Sequence, residues 1–376
     1  MNPATTEFLR QRFTEYYRKS VLVAPSSLAQ REWGFVLFSP GSTEMRMRRH
    51  IGFSGRPELY DYIRNLVPLH VYYSSAYYEK PDAPTMAEKG WCGADLIFDL
   101  DADHIMKGPY DQMLARVKVE TEKLLSMLTE ELGMDPKQIG IVFSGGRGYH
   151  VHVRDLAFRS WGSAERRELI DYVCGIGIDP KALLSVQGPV TSGWPHRFRE
   201  ALTGYLRWLG TLDEKPAIAH LTGIEGVGAD SAAMFLKRRE DLIAQLEGQV
   251  PAVILKNRVI NAIVHQTEGE FRKQLNERAA LADEPVTTDI KRLIRMPTSL
   301  HGGSGLQVQA VELRNLPGFD PLTDAVVFGT RGVNVDCRFP LSMPMLGSTY
   351  QLPKGISTVP EAVAVFLCCR GIAEIA

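Results

Sequence analysis

The chain has 376 residues, 44% of them hydrophobic and 23% charged, a globular composition that argues against long disordered or fibrous stretches and suffices for one large domain or two modest ones. Its 43 Lys and Arg stand against 44 Asp and Glu, so no whole-molecule positive excess draws it to nucleic acid, and any polyanion site must be a local patch. The five cysteines are scattered with no C-x-x-C pair, and the longest apolar run, 362–369, is far short of the ~20 residues that span a bilayer; free thiols, a reducing cytoplasmic setting and no membrane insertion are expected.

Behind Thr5 or Thr6 as an N-cap, residues 5–18 set Phe8, Leu9, Phe13, Tyr16 and Tyr17 on one helical face. Residues 33–38 and 45–53 have the pattern of strands, 57–66 returns to helical spacing, and 69–74 is a further strand. After a loop carrying Pro81 and Pro84, ADLIFDLD at 94–101 is apolar on both faces up to its acidic end, the pattern of a strand inside a sheet. Leu114, Val117, Thr121, Leu124, Leu125, Leu128 and Leu132 repeat at helical spacing until Gly133 and Asp135-Pro136 stop them. IGIVFS at 139–144 and YHVHV at 149–153 are strands joined by a glycine turn. From 160 the strand pattern lapses, and Ser163, Pro195 and Ala229 open helices instead. This predicts an α/β (α+β) core of residues 1–159 and 284–376, interrupted by an all-helical subdomain over 160–283. Strand-like text returns at 307–313 and 325–328, and 358–373 predicts a closing helix with Thr358 and Glu361 as a capping box.

One residue separates Asp99 from Asp101, so on a strand both carboxylates project from one face while Leu96, Phe98 and Leu100 take the other. Two carboxylates aimed at one point repel unless a cation stands between them, and oxygen ligands suit a hard divalent ion such as Mg²⁺ or Mn²⁺. The competing explanation is a solvated strand end before a turn. In SGGRGYH at 144–150, glycines let backbone N–H groups approach phosphate oxygens, and Arg147 adds a planar fork of donors. Alternation turns His150 and His152 away from Tyr149 and Val151, so Ser144, Arg147 and His150 collect on a polar face; an ordinary hairpin with surface histidines has the same text. In TTDIKRLIRMPTSLHGGSG at 287–305, the spacing predicts a short helix over 289–295 with Asp289 at its start and Lys291, Arg292 and Arg295 outward. Asp289 alone reads equally as an N-cap, and His301, in a glycine-rich loop, can donate to phosphate or stay exposed. Arg46, Arg48, Arg49, His50 and Arg56 form a looser basic cluster.

Together these segments resemble the archaeo-eukaryotic primase superfamily, and most closely the catalytic small subunit of archaeal DNA primases. DLD at 99–101, SGGRGYH, the acidic residue of TTDIKRLIR and PTSLHGGSG at 297–305 occur in that family's order, and SSAYYEKP at 74–81 and REWGF at 31–35 extend the likeness over most of residues 5–310. The resemblance implies a mixed-sheet primase catalytic core with an inserted helical subdomain. It implies that Asp99, Asp101 and Asp289 are the catalytic metal-binding carboxylates, for two Mg²⁺ or Mn²⁺ ions. Ser144, Arg147, His150, Arg295 and His301 match residues that hold the triphosphate, and Arg49 a nucleotide-contacting arginine. One departure stands out: residues 104–143 hold His104 and no cysteine, so the family's zinc-binding cluster is missing and no structural zinc is expected.

The implied activity is template-directed synthesis of a short RNA primer, with DNA left open, from nucleoside triphosphates on single-stranded DNA. The implied partner is a large primase subunit carrying an iron–sulfur cluster, which the five cysteines here do not supply, and the implied setting is the cytoplasm, at the nucleoid during replication. A repair-type polymerase of the same superfamily and a non-catalytic nucleic-acid-binding subunit are the other readings. No fused ligase or nuclease motif accompanies the carboxylates, and a dead subunit would be expected to have lost one of them.

Overall fold

The computed structural model describes residues 1–38, 46–186, 190–248 and 257–376. The chain divides into two compact units, one of residues 1–122, 135–170 and 282–376, the other of residues 123–134 and 171–281. Among the described residues no helix is long and apolar enough to cross a membrane.

The first unit is a mixed α/β fold built on two four-stranded sheets. One runs in the order Met47–Ile51, Trp33–Val36, His70–Ser74, Leu293–Arg295; the other runs Gln309–Val311, Ile139–Phe143, Gly148–Val153, Leu96–Asp101. Each pairing is antiparallel. Trp33, Phe35, Val71, Tyr73 and Ile294 of the first sheet share a core with Ile97 of the second and with Phe13 and Tyr17 of the helix Pro3–Lys19. Burial on that scale contributes roughly 1.5–3 kcal/mol for each large side chain. Leu96, Phe98 and Leu100 are fully buried on the opposite face, so the acidic strand is covered on both sides although its sheet is antiparallel. Arg31, itself fully buried, donates to Ser74 O at 2.7 Å and to Asp95 Oδ2 at 2.8 Å, tying the first sheet to the residue that precedes the acidic strand.

The C-terminal part of this unit adds a sheet in the order Gly355–Pro360, Gly332–Cys337, Ala373–Ile375, the hairpin Leu341–Met345 with Ser348–Leu352, and the helix Glu361–Cys369. The second unit, among its described residues, is helical throughout. Its helix Gly193–Leu209 packs on Pro180–Leu184, Arg239–Glu247 and Glu270–Asn276, with Phe198 and Tyr205 edge-on to Phe271.

Several elements differ from the sequence expectations for identifiable reasons. Asn2, not Thr5 or Thr6, caps the first helix, its Oδ1 accepting the Thr5 N–H at 2.7 Å, because Pro3 can occupy the first turn without a missing donor being felt. The helix Tyr110–Ser126 passes into a π turn at Met127–Glu131, and the widened turn swings Leu132 outward to 36% exposure. Residues 289–295 are not helical: the helix Glu284–Thr288 ends at Asp289, and Leu293–Arg295 is an edge strand paired with His70–Ser74. Three apolar residues are too few to separate a period of 3.6 from one of 2, and the open edge of the first sheet decides. Residues 325–328 form no strand. The closing helix starts at Glu361 behind Pro360, and Thr358 lies in a strand with its hydroxyl donating to Asn334 Oδ1 at 2.8 Å, so no capping box forms. The expected strand 45–53 is observed as Met47–Ile51, and its start at Met45 lies outside the described residues.

Candidate active site

A cavity of about 440 Å³ opens in the first unit where four segments meet: the end of the acidic strand, the glycine turn at 144–148, the edge strand Leu293–Arg295 and the loop 301–304. Asp99, Asp101, Ser144, Arg147, His150, Arg295 and His301 all line it, so most residues singled out by sequence share one space. A few hundred cubic ångströms is the size of a small-molecule site.

Its acidic wall follows from strand register. Asp99 stands opposite His150 and Asp101 opposite Gly148 on the neighbouring strand. A Cβ at Gly148 would meet Leu100 O at 2.1 Å, so only glycine lets the two strands close beside the carboxylates. His150 Nε2 is 3.4 Å from Asp99 Oδ1. Burial, then the charges of Asp101 and Asp283, push the Asp99 carboxyl up to about 7. Burial, with Arg295 and Arg292 nearby, drives His150 down to about 3, so at neutral pH it offers an N–H and no charge. Asp283 comes to the site through its backbone: its N–H donates to Asp99 O at 2.7 Å.

The basic wall is held by hydrogen bonds that fix each donor. Arg295 Nη1 lies 2.6 Å from His70 Nδ1, which also accepts the Gly302 N–H at 3.3 Å, and its guanidinium covers the Tyr72 ring at 4.9 Å. Burial and Arg295 hold His70 down to about 3, which keeps that nitrogen an acceptor. His301 Nδ1 accepts the Gly303 N–H at 3.2 Å, which leaves the ring proton on Nε2 beside Gly146. Burial and the surrounding cations hold His301 well below its ordinary value, so it too is a neutral donor. Arg147 forms an ion pair with Asp103, and Ser144 Oγ accepts the Gly146 N–H at 3.3 Å inside the turn.

Two expected site residues are elsewhere. Asp289 is exposed at the end of its helix, its Oδ1 accepting the Lys291 N–H at 2.9 Å, and does not line the cavity. Its charge acts instead on Tyr78, which burial, Glu32 and Asp289 together push up to about 12. Arg49 belongs to that same neighbourhood, with Nε 3.0 Å from the fully buried Glu32. Tyr72, Tyr110, Arg292, Ser304 and Arg370 also line the cavity, while Asp283, which does not line it, reaches Asp99 through its charge and its backbone N–H. Asp283 carried a legible signal, an acidic residue just before the Pro285 that starts a helix; Tyr72 and Arg370 sit in segments with no motif.

Among the described residues no three His, Cys, Asp or Glu side chains stand together as a ready metal site. The donor set nevertheless fits a hard divalent cation: two of the groups acting on Asp99 are carboxylates, and after burial their repulsion adds to its proton affinity.

An all-antiparallel core with carboxylates facing fixed arginine and histidine donors across a small polar space defines a mixed α/β protein with a charged, largely polar cavity. Residues 98–312 match the family model of the DNA primase small subunit. The DNA primase small subunit PriS of Methanoregula boonei is 77% identical over the whole of both chains. Those of Methanosphaerula palustris and Methanospirillum hungatei are 57% and 51% identical over the whole of this chain and 99% and 98% of theirs. The chain belongs to the DNA primase small subunit family. Membership supports a DNA primase catalytic subunit, a nucleotidyltransferase-type enzyme, with a larger primase subunit as its partner.

Proposed function

We propose that this subunit joins nucleotides into short RNA primers on single-stranded DNA, with deoxynucleotides as a second substrate class. A 3′-hydroxyl attacks the α-phosphate in line, the new P–O bond forms as the bond to the β-phosphate oxygen breaks, and pyrophosphate leaves. Asp99 and Asp101, with Asp283 in place of Asp289, are the residues that would hold Mg²⁺ or Mn²⁺. When bound, such a cation pair acidifies the attacking hydroxyl and neutralises the leaving oxygens. No structural zinc is part of this reading. The larger subunit carries the iron–sulfur cluster, and the pair works at the nucleoid.

The chain's own residues position the triphosphate. The 144–148 turn offers backbone N–H groups, and Arg147 exchanges Asp103 for phosphate oxygens, a bidentate contact of the kind Arg makes best. His150 and His301 donate as neutral rings, while Arg295, steadied by His70, offsets charge as pyrophosphate forms. Arg49 has no part in this set. The observation that carries the reading is the Asp99 carboxyl, pushed up to about 7 by burial and two neighbouring carboxylates beside a wall of cations. Its test is incubation of the purified subunit, alone and with the larger subunit, with single-stranded template, Mg²⁺ or Mn²⁺ and labelled triphosphates. Template-dependent products lost in Asp99→Ala and Asp101→Ala support it. Wild-type activity in both variants, with unchanged circular dichroism, sinks it.

A further inference from the structure

The family match ends at residue 312, yet Arg370, the C-cap of the helix Glu361–Cys369, lines the cavity. Two contacts explain why a residue so far along the chain arrives there. Gly305, in the loop that follows His301, sits so close to this helix that a Cβ on it would meet Val365 Cγ1 at 2.5 Å and Cys369 Sγ at 3.6 Å. On the other side the Phe366 ring lies edge-on to Tyr110 at 5.2 Å, and the Tyr110 hydroxyl donates to Gly146 O in the glycine turn. The Arg370 guanidinium covers that same Tyr110 ring at 4.7 Å. A tyrosine that braces the phosphate turn therefore also aims Arg370. Among the described residues no Asp or Glu forms an ion pair with Arg370, in contrast to Arg147, which is engaged by Asp103.

The cations divide into two groups. Arg292 and Arg295 act on Asp99. Arg370 and Arg147 act on Tyr110, next to the glycine turn, and His301, between the groups, feels Arg295 as well as Arg147 and Arg370. If the α-phosphate reacts beside the carboxylates, the remaining phosphates extend toward the second group. We propose that Arg370 is a further triphosphate-binding residue, reaching the β- and γ-phosphates and the departing pyrophosphate from outside the matched family segment. This rests on the nucleotidyl-transfer reading above.

The test is competition against a fluorescent ATP analogue with Mg²⁺ present, using ATP, AMP and inorganic pyrophosphate on the full chain. Arg370→Ala should weaken ATP and pyrophosphate roughly tenfold while leaving AMP unchanged, in keeping with loss of a charge-assisted phosphate contact. Arg370→Lys should recover part of the loss, since it keeps the charge without the fork. An equal loss for all three ligands, or for both variants together with a lowered unfolding midpoint, marks Arg370 as packing only and overturns the proposal. Unchanged ATP and pyrophosphate affinity in Arg370→Ala overturns it as well. A wild-type chain that binds neither ATP nor pyrophosphate overturns instead the nucleotidyl-transfer reading on which it rests.

Discussion

Replacing Asp99 by Asn tests the electrostatic account of the site without relying on activity. The carboxyl is raised from its ordinary 3.8 to about 7 by burial and by Asp101 and Asp283. A raised folded-state value means that the folded protein holds the proton more tightly than the unfolded chain. The associated stability is therefore complete below about pH 4 and is lost as the pH climbs through 7. Three units of proton affinity correspond to roughly 4 kcal/mol. The Asp99 side chain keeps 19% of its surface exposed, and water on that side reduces the expected effect to ~2 kcal/mol. Asn mimics the protonated carboxyl at every pH. In chelator-treated protein, Asp99→Asn should match wild type near pH 4.5 and melt about 4–8 °C higher at pH 8, at the usual 2–4 °C per kcal/mol for a unit of this size. Mg²⁺ at pH 8 should raise the wild-type midpoint and close the gap, because a bound cation relieves the repulsion. Thermal unfolding at the two pH values, with and without Mg²⁺, reads all of this directly. A wild-type-to-variant gap that is the same at pH 4.5 and 8, or Mg²⁺ that shifts both proteins alike, would refute the reasoning.

Asp283→Ala should lower nucleotide incorporation at least a hundredfold, and Asp289→Ala only by a few fold, because Asp283, and not Asp289, is among the charges that raise Asp99; a reversed order in primer-extension assays restores Asp289 to the site. Asp103→Asn frees Arg147 from its ion pair and should lower the triphosphate KM by roughly twofold to fivefold at low salt, an advantage that fades as salt screens it; a KM that does not move means Asp103 never competes with phosphate. Asp95→Ala leaves the buried Arg31 guanidinium without its carboxylate and should cost about 3–5 kcal/mol in urea unfolding, and a loss under ~1 kcal/mol would contradict the role given to that pair.

The helices and strands that were legible are those whose period extends over enough residues to be unambiguous. Ile63, Leu59 and Tyr60 mark one helix, and the apolar run 96–100 marks a strand that had to be covered on both faces. What was not legible is the C-terminal sheet. Its strand Gly355–Pro360 keeps Ile356 71% exposed and buries only Val359 fully, so hydrophobic alternation hardly rises above a loop. Thr358 and Glu361 have the spacing of a capping box, but the ladder between Thr358 and Asn334 and the 2.6 Å ion pair of Glu361 with Arg12 take those side chains first.

The site divides along the same line. Asp99 with Asp101, and Ser144 with Arg147 and His150, could each be read as one polar face from alternation, and the resemblance joined the two sets; the pairing that brings Asp99 opposite His150 lies between the acidic strand and the second strand of the hairpin. The third carboxylate could not be settled that way, since it depends on where a five-residue helix begins. A helix started at Asp289 would have carried that residue in with Arg292 and Arg295. The chain instead starts the helix at Glu284 behind Asp283, where Pro285 fits the first turn, and spends residues 290–292 on reversing direction into the edge strand. That shift of one turn sets the Asp283 backbone against Asp99 and leaves Asp289 at the exposed end of the helix. Arg370 lies further still from any local rule, because its position depends on the absence of a side chain at Gly305 and on a ring at Tyr110, neither of which is near it in the chain. The faces of single strands can be read locally from alternation, whereas a site completed by a helix docked against its loops becomes visible only when the packing that holds the helix is known.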